Sequence, residues 1–392
     1  CAPSISQYIK NINATQFENY FPIAAKSIKE NHYVDDLLDS VNTPQEAIQL
    51  ISDVSYVHRQ AGFNIRNWIS NDRLIMNSIP ENVSQGIKCL NLKEDKQVEK
   101  VLGVFWEQHG DKITFKIAAW LMESDIFSCT RTPTKREMLR LVMSIYDPLG
   151  LIGHIIMYVK VLMQEVWRSK IEWDEKVPPE LKAKWIQWVN VLPDIQKLKI
   201  PRCYLQSFTN YKDIDVQLHT FVDASKDGYA AVCYFRLKKD DVILCSLIGS
   251  KTRVAPMKIT SVPRLELMAA LIGARFAKYI IENHEINIFK KYYWSDSKTV
   301  LSWINSDHRK YQQFVAFRIT EILELSSIKD WKWIPSKQNV ADDATKWSKI
   351  PKISESSRWL SGPDFLHLPE TEWPKTEPPL EATEEDSVYH SY

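Results

Sequence analysis

The stretch that decides the fold lies at residues 216–225 and reads VQLHTFVDAS. In an extended chain, side chains alternate between two faces, so Val216, Leu218 and Val222 share one face and Asp223 points to the other. The pattern predicts a buried strand that ends in a carboxylate.

The chain on both sides of this strand extends the prediction to a domain. The elements expected after it are strands at 229–237 and 242–250, a helix at 263–282, a strand at 289–296, helices at about 298–305 and 311–326, and a strand at 329–334. Such an alternation is typical of a mixed α/β domain, which we place at 211–350. Its length is near the usual domain size, so we expect it to fold by itself.

Three more acids occupy similar places in this predicted domain. Glu266 lies one turn into its helix, Asp296 closes a strand, and Asp342 lies near the start of a short helix. Singly, each acid, like Asp223, has a plain role as a cap or as a partner of the helix dipole. Brought together, the four would need cations to offset their repulsion, and oxygen ligands without His or Cys favour Mg²⁺ or Mn²⁺ over zinc.

Two local patterns bear on this prediction. The helix that carries Glu266 has small residues at 270, 273 and 277, which would let it lie close to the sheet and bring its carboxylate near Asp223. Asn339 is placed to cap the short helix of Asp342. The adjacent Asp343 is an alternative to Asp342 for the same role.

Composition excludes several classes of protein. The 392 residues include 50 Lys+Arg and 49 Asp+Glu, so the net charge of +1 gives no global nucleic-acid or membrane signal. No apolar run approaches the length of a transmembrane helix. The six cysteines are scattered without a CxxC pair, which argues against a structural zinc and favours a reducing compartment, either cytoplasm or nucleus.

A second pair of acids stands upstream, in residues 33–36, YVDD. Two adjacent carboxylates in an apolar stretch repel each other, so either a solvated acidic turn or a tight turn facing a divalent metal is expected. The elements expected around it are helices at 14–30 and 44–60, a hairpin of 101–106 with 113–117, helices over 134–168 broken at 147–150, and a helix at 179–192.

Several blocks resemble known families. Residues 33–36 resemble the polymerase box of reverse transcriptases, and 62–68 and 101–106 resemble the blocks that follow it, the latter being the hairpin that grips the primer. Residues 135–150, with WDE at 173–175, resemble the BEL/Pao family of LTR retrotransposon polyproteins. The resemblance runs over nearly all of residues 1–375.

The acids of the α/β domain lie in blocks that resemble the four catalytic blocks of RNase H: residues 221–225, 264–267, 294–297 and 339–342. The resemblance implies metal-dependent hydrolysis of the RNA strand of an RNA–DNA hybrid. It implies two Mg²⁺ or Mn²⁺ ions on the four acids, and polymerase metal ligands in the upstream pair. The residues implied are Asp223, Glu266, Asp296 and Asp342 as catalytic and metal-binding, Asp35 and Asp36 as metal-binding, and Ser225, Ser297 and Lys337 as nucleic-acid-binding.

The expected organisation follows from the resemblance. It comprises a palm remnant at 1–75, a primer-grip-like hairpin region at 76–130, a helical thumb and connection at 131–210, the RNase H domain at 211–350, and an acidic, proline-containing tail or linker at 351–392. Partners implied are the hybrid, a single-stranded RNA or DNA template, upstream fingers and palm, and a downstream integrase.

Two departures from the families matter. Only 32 residues precede Tyr33, so we expect the fingers and the first polymerase aspartate to be missing, and the chain not to extend a primer by itself. The loop before Asp342 has no His, and Lys337 or Gln338 would have to fill in. A non-catalytic remnant or co-opted nucleic-acid binder, and a structural assembly module, remain alternatives to a nuclease.

Overall fold

The computed structural model describes residues 2–65, 67–79, 98–118, 122–205, 208, 213–258, 260–347 and 353–375. The chain divides into two compact units, Cys1–Thr114 and Phe115–Tyr392. The finer division expected from the sequence, with boundaries at 76, 131 and 211, stays a prediction. No helix in the described ranges is long and apolar enough to cross a membrane.

The first unit consists of a small helical cluster, a two-stranded hairpin and three consecutive antiparallel strands. Its elements are α1 (Ala2–Gln16), α2 (Pro22–Glu30), β1 (His32–Tyr33), β2 (Asp36–Leu37), α3 (Pro44–Gln60), α4 (Arg73–Ser78), β3 (Val98–Val101), β4 (Val104–Glu107) and β5 (Lys112–Thr114). The first three helices bury a shared core. The expected helix at 44–60 is confirmed, and its capping box at Thr43 and Glu46 sets its start.

The expected single helix at 14–30 is wrong. α1 ends at Gln16 and α2 begins at Pro22, with Phe21 in a non-helical conformation (φ −135°, ψ 62°) directly before it. A proline ring has no N–H and clashes with the preceding turn of a helix, but it suits a first turn. Pro22 therefore starts a second helix rather than lying inside one.

The expected strand at 101–106 is also interrupted. Leu102 and Gly103 have φ of 47° and 87°, so they form a two-residue turn between β3 and β4. Two left-handed residues match the twist of a tight hairpin. The expected hairpin with residues 113–117 is confirmed as the pairing of β4 with β5, which ends at Thr114.

The second unit begins with helices. They are α5 (Lys135–Ser144), α6 (Gly153–Arg168), α7 (Pro179–Val189) and α8 (Leu192–Ile195), followed by strand β6 (Lys199–Pro201). The expected break at 147–150 is confirmed, because Gly150 has φ of 75° and Asp147 accepts the backbone N–H groups of Leu151 and Ile152. A side chain at Gly150 would collide with Ser250, so the helices pack directly on the sheet.

A five-stranded mixed sheet forms the centre of this unit. Its strands are β7 (Asp215–Ala224), β8 (Gly228–Lys239), β9 (Val242–Val254), β10 (Lys290–Ser295) and β11 (Trp331–Trp333), in the order β11-β10-β7-β8-β9. β7, β8 and β9 are antiparallel, whereas β10 runs parallel to both β7 and β11. The expected mixed α/β arrangement is confirmed.

Three helices cover one side of the sheet: α9 (Val262–Asn283), α10 (Lys298–Asn305) and α11 (Gln313–Leu325). The small residues of α9 permit the expected close approach, because a Cβ at Gly273 would lie 2.5 Å from Val222 Cγ1 on β7. Ala270 and Ala277 are fully buried. This packing fixes the start of α9 near the carboxyl end of β7.

The prediction of a linker at 351–392 is wrong for residues 353–375, which are folded. This segment contains α12 (Arg358–Ser361) and two short 3₁₀ turns, and it packs on the second unit through the buried side chains of Trp359, Phe365, Leu366 and Trp373. Arg236, itself buried, donates to the carbonyls of Leu366 and Leu368 at 2.7 and 2.9 Å. The apolar side chains outweigh the acidic composition that suggested a linker. Residues 376–392 lie outside the described ranges.

Candidate metal centre

Three of the four predicted acids meet at one edge of the sheet. Asp223 lies near the end of β7, Asp296 directly follows β10, and Asp342 lies in the 3₁₀ turn Val340–Ala344. One carboxylate oxygen from each lies within 4.8 Å of the others. Because β7 and β10 are adjacent and parallel, their carboxyl ends open at the same edge, and the fold brings together residues far apart in sequence.

A lysine lies among these carboxylates. The Nζ of Lys346 is 3.1 Å from Asp223 Oδ1, 3.6 Å from Asp296 Oδ2 and 3.0 Å from Asp342 Oδ1. Burial opposes the charge of Lys346, but the three aspartates outweigh it and hold its pKa above the ordinary value. One ammonium group therefore offsets part of the charge of three acids.

Neutral side chains orient the aspartates. Asn339, fully buried, donates its Nδ2 to the carbonyl of Val222 at 3.0 Å and to Asp296 at 3.1 Å, while its Oδ1 caps the 3₁₀ turn through Ala341 N–H. Thr345 donates its hydroxyl to Asp223. The expected cap at Asn339 is confirmed, and the same side chain also links β7, through Val222, to the carboxylate of Asp296.

The electrostatics of the cluster disfavour three bare charges. Burial and the nearby Asp342 and Asp296 raise the pKa of Asp223 to about 8, although Lys346 and Thr345 act in the opposite direction. Burial likewise raises the pKa of Asp342. A carboxylate pushed towards its neutral form by its neighbours gains from a bound cation, because the cation favours the charged form.

Glu266 is close to the cluster but is held apart from it. Its carboxylate accepts the hydroxyl of Ser297 at 2.5 Å, and the same hydroxyl caps α10 by accepting Val300 N–H at 3.3 Å. Burial raises the pKa of Glu266 despite the bond from Ser297. An open groove beside Glu266 and Asp296 is lined in addition by Lys298 and Trp333.

The other predicted residues of this unit have structural partners. The hydroxyl of Ser225 accepts Asp227 N–H in the turn that leads to β8. Lys337 is exposed, and its carbonyl accepts Arg358 Nη1 at 2.7 Å. The carboxylate of Asp343, left open as a replacement for Asp342, instead forms a paired contact with Arg358 from α12.

The upstream acids are arranged differently. β1 and β2 pair as a hairpin with Val34 and Asp35 at its turn, and Val34 has the left-handed φ of 53°. The side chains of Asp35 and Asp36 are exposed. Among the described residues, neither belongs to a group of three potential metal ligands. The tight turn expected from the sequence is present, without a third ligand in the part of the chain that the structure describes.

The sequence-based prediction did not include three residues: Lys346 and Thr345, which contact the clustered aspartates, and Arg358, which contacts the neighbouring Asp343. Lys346 and Thr345 follow Asp342 by four and three residues, and that spacing on a helical turn was an available signal. Arg358 lay in the expected linker, where nothing in the sequence ties it to Asp343.

Two comparisons with known proteins found similarity. Residues 134–297 match the family model described as a Pao retrotransposon-like RNaseH-like domain, a span that includes Asp223, Glu266 and Asp296. An N-terminal RNase H domain from Mycobacterium tuberculosis, solved as a fusion with maltose binding protein, is 12% identical, with a TM-score of 0.25, over 33% of this chain and 91% of that chain. No curated protein matches. Residues 134–297 thus resemble a Pao retrotransposon-like RNase H-like domain, which agrees with the mixed sheet.

Proposed function

We propose that the second unit is a metal-dependent endonuclease of the RNase H type that cleaves the RNA strand of RNA–DNA hybrids. The observation that carries the proposal is the convergence of Asp223, Asp296 and Asp342 within 4.8 Å at one edge of an RNase H-like sheet. A structural role alone does not explain three acids at this distance, since their burial and repulsion cost stability.

The donor set fits Mg²⁺ or Mn²⁺. The three groups that converge are carboxylates, and we propose Glu266, whose carboxylate is bonded by Ser297, as a fourth ligand. Hard oxygen donors suit these ions and not zinc. We propose two ions at this centre. The chemistry that they supply is Lewis acidity, which activates water and stabilises the leaving 3′ oxygen.

The chain's own residues prepare the centre for that chemistry. Asn339 and Thr345 hold Asp296 and Asp223 in place through direct hydrogen bonds. Such preorganisation favours catalysis, because no reorganisation is required as charge develops. The groove beside the carboxylates is lined by Lys298, whose ammonium lies over the Trp333 ring at 5.5 Å from its centre, and a cation at this place suits a nucleic-acid backbone.

For the first unit we propose a relationship to the palm of a reverse transcriptase. The observation in favour is the tight hairpin that exposes Asp35 and Asp36 at and beside its turn. We propose these two acids as remnants of its metal site. A single-stranded template, upstream fingers and a downstream integrase are its proposed partners within a BEL/Pao-type polyprotein.

Cleavage of a labelled RNA–DNA hybrid by the purified chain, with Mg²⁺ and with EDTA, tests the nuclease. We expect Mg²⁺-dependent cuts in the RNA strand and none in the DNA strand or in single-stranded RNA. Hybrid binding that weakens with salt, without cleavage, would favour the non-catalytic binder. Neither binding nor cleavage would favour a structural module.

A further inference from the structure

Lys346 occupies the space among the three carboxylates. Its ammonium lies 3.1 Å from Asp223 and 3.0 Å from Asp342, with Asp296 at 3.6 Å, and it also donates to Ser336 at 3.3 Å. A site for a divalent cation and the position of this ammonium are therefore largely the same place.

The two sides of this contact differ in freedom. The side chain of Lys346 is 43% exposed, whereas that of Asp223 is 1% exposed. A lysine has four rotatable carbons and can reach water, so the ammonium can leave. Asp223 cannot, because Thr345 holds it at the end of a buried strand.

We propose that Lys346 is a built-in counter-cation that a divalent metal must displace. In the metal-free chain it reduces the repulsion among the aspartates, and on metal binding it moves out of the cluster. The inference rests on the proposed metal centre. Lys346 would thus weaken the affinity of the site for the metal and would stabilise the metal-free protein. An ordinary surface ion pair would have neither effect.

Metal binding without substrate tests the proposal. Titration calorimetry with Mg²⁺ at pH 8.5, where protons compete least for the carboxylates, would compare the full chain with Lys346→Met. We expect Lys346→Met to bind Mg²⁺ at least about tenfold more tightly, which corresponds to about 1.4 kcal/mol. Thermal unfolding in EDTA should occur at a lower temperature in the variant, and Mg²⁺ should raise it by more than in the parent.

Two control variants separate charge from shape. Lys346→Arg keeps the cation and should keep the weak affinity of the parent. Lys329→Met removes one charge from an exposed lysine elsewhere in the second unit and should change neither measurement. If Lys346→Met does not fold in EDTA, its melting temperature at a series of Mg²⁺ concentrations, after refolding in Mg²⁺, still gives the affinity.

The outcomes distinguish this inference from the proposed function. Equal Mg²⁺ affinity in the parent and in Lys346→Met overturns the counter-cation but leaves the metal centre. Binding in Lys346→Met alone supports the counter-cation and argues against a metal-dependent nuclease in the parent. Absence of Mg²⁺ binding in both proteins overturns both.

Discussion

The two units carry their carboxylates in opposite ways. Asp35 and Asp36 are neighbours in sequence, yet they lie exposed on a hairpin with no third ligand among the described residues. Asp223, Asp296 and Asp342 come from segments far apart and converge within 4.8 Å. Adjacency in sequence separates side chains along an extended backbone, whereas adjacent parallel strands bring their ends together.

The units also differ in what holds the acids. The aspartates of the second unit have Asn339, Thr345 and Lys346 as direct partners. Burying an unpaired carboxylate costs several kcal/mol, so a buried cluster survives only with such partners. An exposed acidic turn has no such cost and needs no such support.

The largest expected effect comes from Asp223→Asn. It should lower hybrid cleavage by at least about three orders of magnitude, because residues that act as a unit lose most of the rate together. The metal-free protein should melt at the same or a higher temperature, since one charge leaves a crowded cluster. Cleavage rate with Mg²⁺ and melting temperature in EDTA check both.

The matched control in the first unit is Asp36→Asn. It should leave hybrid cleavage unchanged, because its carboxylate is exposed on the hairpin. A loss of cleavage in Asp36→Asn comparable to that in Asp223→Asn would erase the contrast between the two units.

The neighbours Asp342 and Asp343 repeat the comparison within one turn. Asp342→Asn should lower cleavage by about two orders of magnitude or more, because it removes a carboxylate of the cluster. Asp343→Asn should lower cleavage much less and stability by about 1–2 kcal/mol, because it breaks the pair with Arg358. Equal loss of cleavage in both variants, with equal stability, would contradict the different roles that we assign to the two acids.

Loss of the Trp359 side chain, in the segment expected to be a linker, should lower the stability of the second unit rather than change its chemistry. Trp359 is fully buried, and its indole N–H donates to the carbonyl of Leu151 at 2.8 Å. Trp359→Ala should cost about 3–5 kcal/mol of unfolding free energy. Urea unfolding measures it, and a change within error would restore residues 353–375 as a linker. A fragment of 211–350 lacks both Trp359 and Leu151, so the structure leads us to expect an unstable fragment, in place of the independent folding expected from the sequence.

Acid should loosen the same contact. The ring of His154 packs on Trp359 with centroids 4.4 Å apart, and burial lowers the pKa of His154 to about 3. The buried ring is neutral, so its stabilising contribution is complete above pH 6.5 and is lost as pH falls towards 3, by about 1.4 kcal/mol per pH unit. His154→Phe should flatten this part of the profile, whereas His109→Phe, at an exposed position, should not.

The sequence determined the elements of the second unit and the identity of the acids. Alternation in residues 216–223 gives a strand, and the small residues of α9 give close packing, because these patterns are local and regular. Asp223, Asp296 and Asp342 can be predicted as metal ligands for the same reason, because each lies at the end of a strand or at the start of a helical turn.

Tertiary structure alone decided which side chains meet. Glu266 pairs with Ser297, Asp343 pairs with Arg358, and Lys346 enters the cluster. The contacts of Glu266 and Asp343 depend on the direction of a side chain after packing, which no spacing in the sequence specifies. The position of Lys346 four residues after Asp342 signals its contact with that acid, but not its contacts with Asp223 and Asp296. The prediction of a linker is wrong for residues 353–375, because composition averages charge over the segment. Burial there depends on a few large apolar residues such as Trp359, which pack once the sheet has formed.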